Sequence, residues 1–444
     1  MSNDPLAAFI EAACAPLDDS HASGTVTRAD AILAANPALA QTSIHAAAIL
    51  GDDFAVRRFV ERDRKSATAK GGPRNWDPLT HLCFSRYLRL DRSRSDGFVR
   101  AAKELLDYGA DANTGFWDAS HQPKPEWEPA LYGAAGIAHD ATLTRLLLAR
   151  GAKPNDEEVV YHTPESYDNG ALEALVETGK LTPESLTLML IRKHDWHDYD
   201  GAKYLLEHSA DPNLISRYGF SALHHALTRD NQLQMIALLL DHGADASLLW
   251  HGRSAVAIAA RQGRGDVLHL FAQRGIPSAL HGVDELIAAC ARNDGAAVRA
   301  IVARDPALAS QLLAEGPTLL AAFAGTGNAD GVRQLLDLGV PVDARNHGDG
   351  YWGVPFNSMA IHVAAWRGHP QTVQLLLARG SPVDVPDGRG QTPLALAVRA
   401  CVDSYWTARR SPESVRALLD AGASASGVPY PSGYDPVDEL LAAR

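Results

Sequence analysis

A leucine-rich helical phrase that ends in Gly, then a small or polar residue, then Asp or Asn recurs along this chain. Its clearest copies are LLDYGADAN, LLLARGAKPN, LLDLGVPVD and LLLARGSPVD, which begin at Leu105, Leu146, Leu335 and Leu375. A phrase that returns at a near-constant period is typical of a solenoid, in which each unit buries its apolar face only against its neighbours. With 444 residues the chain is too long for one ordinary globular core, whereas the core of a solenoid grows with its length.

The residue that follows each leucine-rich helix sets the period. Glycine is typical there because the residue just beyond a helix often takes the left-handed conformation, in which Ser209 would be strained. With two divergent closing positions, Asp63 and Asp305, the spacing indicates about eleven units with a period of about 32–34 residues, plus insertions. The other closing residues are Gly109, Gly151, Gly179, Ser209, Gly243, Gly275, Gly339, Gly380 and Gly422. Asp residues of the phrase are expected to accept hydrogen bonds from backbone N–H groups of the turn.

A shorter, alanine-rich helix is predicted before each leucine-rich helix, as in SALHHAL from Ser221, SMAIHVAAWRGH from Ser358 and TPLALAV from Thr392. The Ser or Thr can cap the helix, and small alanines allow neighbouring inner helices to stack closely. These stretches resemble the TPLHxA signature of ankyrin repeat proteins, and the Gly-Ala-Asp phrase resembles the turn of that repeat. The usage of Ala, Arg and Gly is similar to that of the long ankyrin proteins of GC-rich bacteria.

The resemblance implies an all-α ankyrin repeat solenoid of about eleven helix-turn-helix units, with finger loops between units. It places N-terminal capping helices at residues 1–40, the repeat array at 41–426 and a C-terminal capping segment at 427–444. The stretches 153–200 and 276–310 depart from the pattern, so the unit boundaries within them stay open.

Composition and charge narrow the function classes. The net charge of −12 argues against general binding to nucleic acid or to an anionic membrane. No stretch approaches 18 uninterrupted apolar residues and the N-terminus has no basic segment, so we expect neither a membrane span nor a secretory signal. Cys14, Cys83, Cys290 and Cys401 lie far apart, as reduced thiols of a cytoplasmic protein would. We expect a monomer. An effector exported by a signal that hydropathy does not reveal stays an alternative.

Two insertions between units are rich in aromatic residues. The first aromatic loop is residues 113–132 and the second aromatic loop is residues 346–358. They carry Phe116, Trp117, Trp127 and Tyr132 in the first, and Tyr351, Trp352 and Phe356 in the second. A turn does not require aromatic residues, and these types are enriched at interface hot spots. We predict that all of them except Tyr132 contact a partner protein. The alternative is that the rings fold back over the inner helices.

Two further insertions lie between the helices of a unit. Residues 84–97 carry four arginines, at 86, 89, 92 and 94, which indicate either a solvated helix extension or a docking site for an acidic partner. Residues 401–414 carry Tyr405 and Trp406, which we expect to pack against the terminal cap.

Chemical motifs are sparse. The run His194-Asp195-Trp196-His197-Asp198 could supply metal ligands, but it falls in a predicted turn where polar residues are expected, and no further ligand lies at metal spacing. No phosphate loop, nucleophile elbow or HExxH motif is present. Under the ankyrin resemblance, His45, His224 and His362 are structural and hydrogen-bond near the starts of inner helices.

The sequence therefore predicts a non-catalytic scaffold, without cofactor or metal, that binds another protein through its concave face and the two aromatic loops. The alternative is an enzyme whose pocket lies between an aromatic loop and the inner helices. Its titratable candidates would be Asp118, His121, His347 and Asp349.

Overall fold

The computed structural model describes residues 4–120, 123–277, 279–404 and 409–443. Helices make up 57% of the chain, and the strands of the described residues form two short antiparallel pairs. The predicted all-α repeat architecture is confirmed, whereas the count of eleven units and the domain limits stay predictions. The chain divides into two compact units: Met1–His225 with Leu238–Ala244, and Ala226–Ala237 with Asp245–Arg444.

The first unit is a succession of short helices and one hairpin. The helices are α1 (Pro5–Ala13), α2 (Thr27–Ala35), α3 (Leu39–Thr42), α4 (Ile44–Leu50), α5 (Asp53–Arg62), α6 (Pro78–Cys83), α7 (Arg86–Leu90), α8 (Ser95–Asp107), α9 (Ala130–Tyr132), α10 (Ala141–Ala149), α11 (Glu157–His162), α12 (Gly170–Val176), α13 (Pro183–Asp195) and α14 (Tyr199–Glu207). The hairpin strands are β1 (Gly115–Asp118) and β2 (Glu126–Pro129), and α9 runs directly into a π-helical turn, Gly133–Ile137. Helices α15 (Ala222–Thr228) and α16 (Leu233–Asp241) contribute residues to both units.

The helices of the first unit form two layers. Helices α4, α6, α9, α11 and α13 pack side by side as the inner layer, and α5, α8, α10, α12 and α14 do so as the outer layer. Inner helices bury small side chains such as Ala46, Ala47 and Ala48, which lets their backbones approach closely. Outer helices bury one leucine-rich or valine-rich face, for example Leu143 and Leu147 of α10.

The second unit repeats this arrangement. Its elements are β3 (Leu249–Trp250), β4 (Arg253–Ser254), α17 (Ala255–Arg261), α18 (Gly265–Gln273), α19 (Val283–Ala291), α20 (Gly295–Arg304), α21 (Ala307–Gly325), α22 (Ala329–Asp337), α23 (Ala360–Trp366), α24 (Pro370–Ala378), α25 (Pro393–Val402), α26 (Glu413–Asp420) and α27 (Asp435–Ala442). Helices α17, α19, α21, α23 and α25 form the inner layer, while α22, α24 and α26 pack together on the outside.

Five helices, α5, α10, α14, α20 and α22, begin at a capping carboxylate or amide. A side-chain oxygen accepts a hydrogen bond from the backbone N–H three residues on, which satisfies one of the donors that a helix start leaves open. The capping residues are Asp52, Asp140, Asp198, Asp294 and Asn328. At these five helices one short polar side chain therefore fixes the direction in which the chain enters the helix.

Polar side chains also tie one turn of the repeat to the next. The Asn113 amide donates to the carbonyl of Gly151 over 3.0 Å and accepts from the N–H of Lys153 over 3.0 Å. In the next repeat the Asn155 amide does the same with the backbone around Lys180. The preceding Asp111 accepts from the N–H of Asn113, as predicted for the Asp of the phrase. The repeated Asn or Asp therefore links adjacent units as well as closing its own turn.

Among the described residues, helix α21 is long and apolar enough to cross a membrane, judged by length and composition only. A core helix of a folded protein can have the same length and composition, and α21 packs against α19, α22 and α23. It contains Pro317, and its Glu315 forms an ion pair with Arg261. These contacts give α21 a place in the inner layer, which hydropathy alone does not reveal.

The basic insertion at residues 84–97 extends the helical structure, forming α7 and a 3-10 turn before α8. The Arg86 guanidinium donates to the carbonyl of Ala12, and the Arg89 guanidinium donates to that of Gly24, each over 2.9 Å. These arginines hold the N-terminal segment, which supports the helix-extension interpretation over a docking site. Tyr405 and Trp406 of the 401–414 insertion lie outside the described residues.

The closing position of the repeat has the left-handed conformation that the sequence predicts. The φ angles are +107° at Gly109 and +83° at Gly243, and a Cβ built on either would meet no atom within 4 Å. Ser209 has a φ of +75° at the equivalent position. The cost of a side chain there is therefore conformational and does not come from crowding.

Replacing Ser209 by glycine should stabilise the protein. Relief of the left-handed strain outweighs the entropy that glycine adds to the unfolded chain, for a net gain of roughly 0.5 kcal/mol, and Gly243→Ser should cost about 1 kcal/mol. Urea unfolding followed by circular dichroism measures both midpoints. A higher midpoint for Gly243→Ser, or a lower one for Ser209→Gly, would contradict this explanation of the closing position.

Candidate partner-binding loops

The strand register of the first aromatic loop separates its aromatic side chains onto two faces. Trp117 pairs with Trp127, and Phe116 pairs with Glu128. Because successive residues of a strand point to opposite faces, Trp117 and Trp127 share one face while Phe116 and Glu128 share the other. The exposed fraction is 66% for Trp117 and 6% for Phe116. The loop therefore presents one aromatic pair and buries the other face.

Phe116 anchors the hairpin to the inner layer. Its ring stacks on Trp76 with centroids 4.2 Å apart and meets Phe84 edge-to-face at 4.9 Å. This arrangement matches the alternative in which loop aromatics fold back over the inner helices. Trp117 and Trp127 meet edge-to-face at 5.3 Å, with Trp127 half-buried, so they form the accessible apolar surface of this loop.

The second aromatic loop is ordered by a turn around Asp349. The Asp349 side chain accepts hydrogen bonds from the N–H groups of Tyr351 and Trp352 over 3.0 and 3.2 Å. The Asp349 backbone pairs with Val354 in both directions, and the N–H of Asn346 donates to the carbonyl of Ser358 over 2.9 Å. A glycine-rich loop thus has a defined backbone.

The aromatic side chains of this loop also divide into buried and exposed. Trp352 is 7% exposed, and the Arg367 guanidinium lies 3.9 Å from its ring centroid. Tyr351 is 41% exposed, with the Arg229 guanidinium 3.3 Å from its ring centroid. Phe356 is 67% exposed. Phe356 and Tyr351 are therefore accessible at the surface, whereas Trp352 is buried under the loop.

A buried carboxylate joins the base of the second aromatic loop to several inner-layer turns. Asp230 lies 3.1 Å from Arg264, 2.7 Å from Arg367 and 3.1 Å from Arg409. Burial works to raise the pKa of Asp230, but the three guanidinium groups outweigh it and lower the pKa. A polar cleft of about 470 Å³ opens beside these groups and is lined further by His269, Arg292 and Asn328. Residues of four separate repeats are tied together here.

A second polar cluster lies beneath the hairpin of the first aromatic loop. Asp118 is buried, with a side-chain oxygen 3.2 Å from Nε2 of His21. Glu128 is also buried; the loss of water, followed by the nearby charges of Glu158 and Asp118, raises its pKa to about 8. His21 stands far from the hairpin in sequence, so only the tertiary structure reveals this cluster.

The enzyme alternative receives little support from its candidate residues. The Asp349 carboxylate is engaged in its own turn, and the His347 ring lies against Phe356 with centroids 6.3 Å apart. His121 lies outside the described residues. Asp118 is the one candidate found within a polar cluster among the residues that the structure describes.

The run His194–Asp198 has structural roles. Nδ1 of His194 bonds the Leu190 carbonyl over 2.7 Å, and Asp195 pairs with His225 over 2.9 Å. Asp198 caps α14 and lies 2.7 Å from the Lys193 ammonium. His194 and Asp195 are the last residues of α13 and His194 is fully buried, so the prediction of a turn is wrong for these two residues.

The three signature histidines behave as the resemblance implies. Nδ1 of His362 accepts from the N–H of Met359, and its Nε2 bonds the carbonyl of Val385 over 2.8 Å. His224 bonds Ser221 at the start of α15, and His45 bonds the Ala69 carbonyl. His224 and His362 thus fix the starts of their helices, and His45 and His362 each bond a backbone carbonyl of a later segment.

Comparison with known families agrees with this repeat geometry. A family model described as ankyrin repeats (3 copies) matches residues 131–248 and 188–278, and one described as ankyrin repeats (many copies) matches residues 335–397. The chain is an ankyrin repeat protein. The matched stretches of this ankyrin repeat protein include both the Ser221 and the Thr392 copies of the signature. Ankyrin repeats generally mediate protein–protein interaction and are typically non-catalytic.

Two curated proteins share sequence with this ankyrin repeat protein. Ankyrin repeat and SOCS box protein 16 of Homo sapiens is 30% identical over 227 residues, which cover 51% of this chain and 43% of the relative. Serine/threonine-protein kinase 12 of Arabidopsis thaliana is 34% identical over 84 residues, which cover 19% of this chain and 17% of the relative. The chain thus spans less than half the length of either relative.

Removing the charge of Asp230 should destabilise the second unit. Asp230→Asn keeps the shape of the side chain but takes away the negative charge that three guanidinium groups face, at a cost of about 3 kcal/mol. The control is Asp330→Asn, which breaks only an exposed pair with Arg333 and should change little. Urea unfolding measures both, and equal midpoints for the two variants would show that the Asp230 network contributes nothing.

Proposed function

We propose that this ankyrin repeat protein is a non-catalytic scaffold that binds another protein through its concave face and the exposed side chains of its two aromatic loops. The observation that carries the proposal is the exposure of Trp117 and Phe356, 66% and 67%, on backbones held in place by hydrogen bonds. When a partner covers water-exposed aromatic rings on an ordered surface, the free energy falls. Such rings are frequent hot spots of binding.

The six predicted contact residues take two roles in this proposal. Trp117, Trp127, Tyr351 and Phe356 meet the partner. Phe116 and Trp352 are buried, so their part is to hold the loops in shape. An ordered loop loses little conformational entropy on binding, which leaves more of the contact energy for affinity.

In this proposal the protein is a cytoplasmic monomer that binds neither nucleic acid nor membrane. The four cysteines are buried and free, and burial raises the pKa of each thiol, which keeps it unreactive. The net charge of −12 disfavours polyanions. The same proposal includes no catalytic cofactor.

Partner capture by matched variants tests the proposal. We expect Trp117→Ala and Phe356→Ala, together, to reduce at least tenfold the amount of the main partner recovered from native cells, measured by quantitative mass spectrometry against the unmutated protein. Phe54→Ala and Leu249→Ala are the controls, since these side chains are 77% and 63% exposed but lie outside the aromatic loops.

The thermal melt of every variant must match that of the unmutated protein, because the chosen side chains contribute little to the core. Undiminished recovery with the loop variants, or a loss caused equally by the controls, would contradict binding through the aromatic loops. Each loop is also tested alone, which shows whether one loop or both contact the partner.

A further inference from the structure

Three side chains with metal-binding atoms meet beneath the first aromatic loop. His21 comes from the segment between α1 and α2, Asp118 from β1 and Glu128 from β2. One ligand atom of each lies within 4.8 Å of the others, and Nε2 of His21 is 3.2 Å from Oδ2 of Asp118. All three residues are less than a tenth exposed. The three side chains come from separate segments, so only folding of the chain brings their ligand atoms together.

The orientation of His21 suits a ligand. Its Nδ1 lies 3.2 Å from the Tyr132 hydroxyl, so that hydroxyl can accept a hydrogen bond from Nδ1–H and leave Nε2 with its lone pair toward the carboxylates. Metal-ligating histidines usually use one ring nitrogen for the metal and the other for such an orienting bond. The rings of Phe84, Phe116 and Tyr132 surround the imidazole and limit its rotation.

The charges around the cluster favour a cation. Asp118 and Glu128 both point into a region from which water is excluded, and Glu158 adds a further negative charge nearby. Carboxylates that share a buried site repel each other, and a cation bound between them removes that repulsion. A divalent ion would offset two carboxylates at once, whereas one imidazolium offsets a single charge.

We propose that His21, Asp118 and Glu128 form a site for one divalent transition-metal ion, with Zn²⁺ as the best match. One imidazole nitrogen and two carboxylate oxygens at about 2.0–2.2 Å are ordinary zinc ligands, and the histidine disfavours Ca²⁺ and Mg²⁺. Ligands at that range around a tetrahedral ion lie about 3.3–3.6 Å apart, so the observed separations need only small side-chain movements. The ion would fasten the N-terminal segment to the hairpin that carries Trp117.

Metal binding to the full chain tests this site. The purified protein is stripped with EDTA, dialysed and titrated with ZnCl₂ by calorimetry. We expect one ion per chain with a dissociation constant in or below the micromolar range, and a rise in melting temperature on binding. His21→Gln and Glu128→Gln should each weaken binding at least 100-fold. His251→Gln, which removes an exposed histidine in the second unit, should bind as the unmutated protein does.

X-ray absorption at the zinc edge keeps the test decisive if a variant fails to fold. The spectrum of the unmutated complex should fit nitrogen and oxygen neighbours with one imidazole and no sulfur. Failure of the unmutated protein to bind zinc would overturn the proposal and leave a protonated hydrogen-bonded cluster in its place. Binding that survives both ligand substitutions, or a spectrum with two or more imidazoles, would place the ion elsewhere and overturn it equally.

Discussion

Within each unit of this ankyrin repeat protein, neighbouring helix pairs cover each other's apolar faces, and in the first unit they also complete the hydrogen bonds of each other's turns. Alanine-rich inner helices and leucine-rich outer helices bury only one face each within a pair, so the remaining surface is satisfied by packing along the array. The amides of Asn113 and Asn155 each bond the backbone of the following turn. Packing and turn bonds therefore specify the same spacing between repeats.

The aromatic loops are built on this repeated frame, and each is fixed by side chains beneath it. Phe116 ties the first loop to Trp76, and Trp352 ties the second to Arg367, which reaches the buried Asp230. In each loop the buried ring fixes the backbone, and the exposed rings stand on that fixed backbone. The exposed rings of both loops thus depend on buried contacts that hold the loop backbones in place.

The period of the sequence predicted the fold because its signals are local. Left-handed closing residues such as Gly109 and Ser209, and helix caps such as Thr392, follow from backbone geometry. Composition identified the aromatic loops but not the split between exposed and buried rings, which follows from the strand pairing around Trp117. The polar clusters around Asp230 and His21 join residues distant in sequence, so one sequence carries no signal for them.

Hydrogen–deuterium exchange on the free protein tests most directly the claim that both loops are ordered before any partner binds. The N–H groups of Phe116, Asn346, Asp349 and Val354 lie in strand pairs or loop bridges, so peptides that cover them should exchange far more slowly than unstructured chain. Protection close to that of the inner helices would agree with the account. Complete exchange of these peptides within seconds, while the helices stay protected, would contradict it.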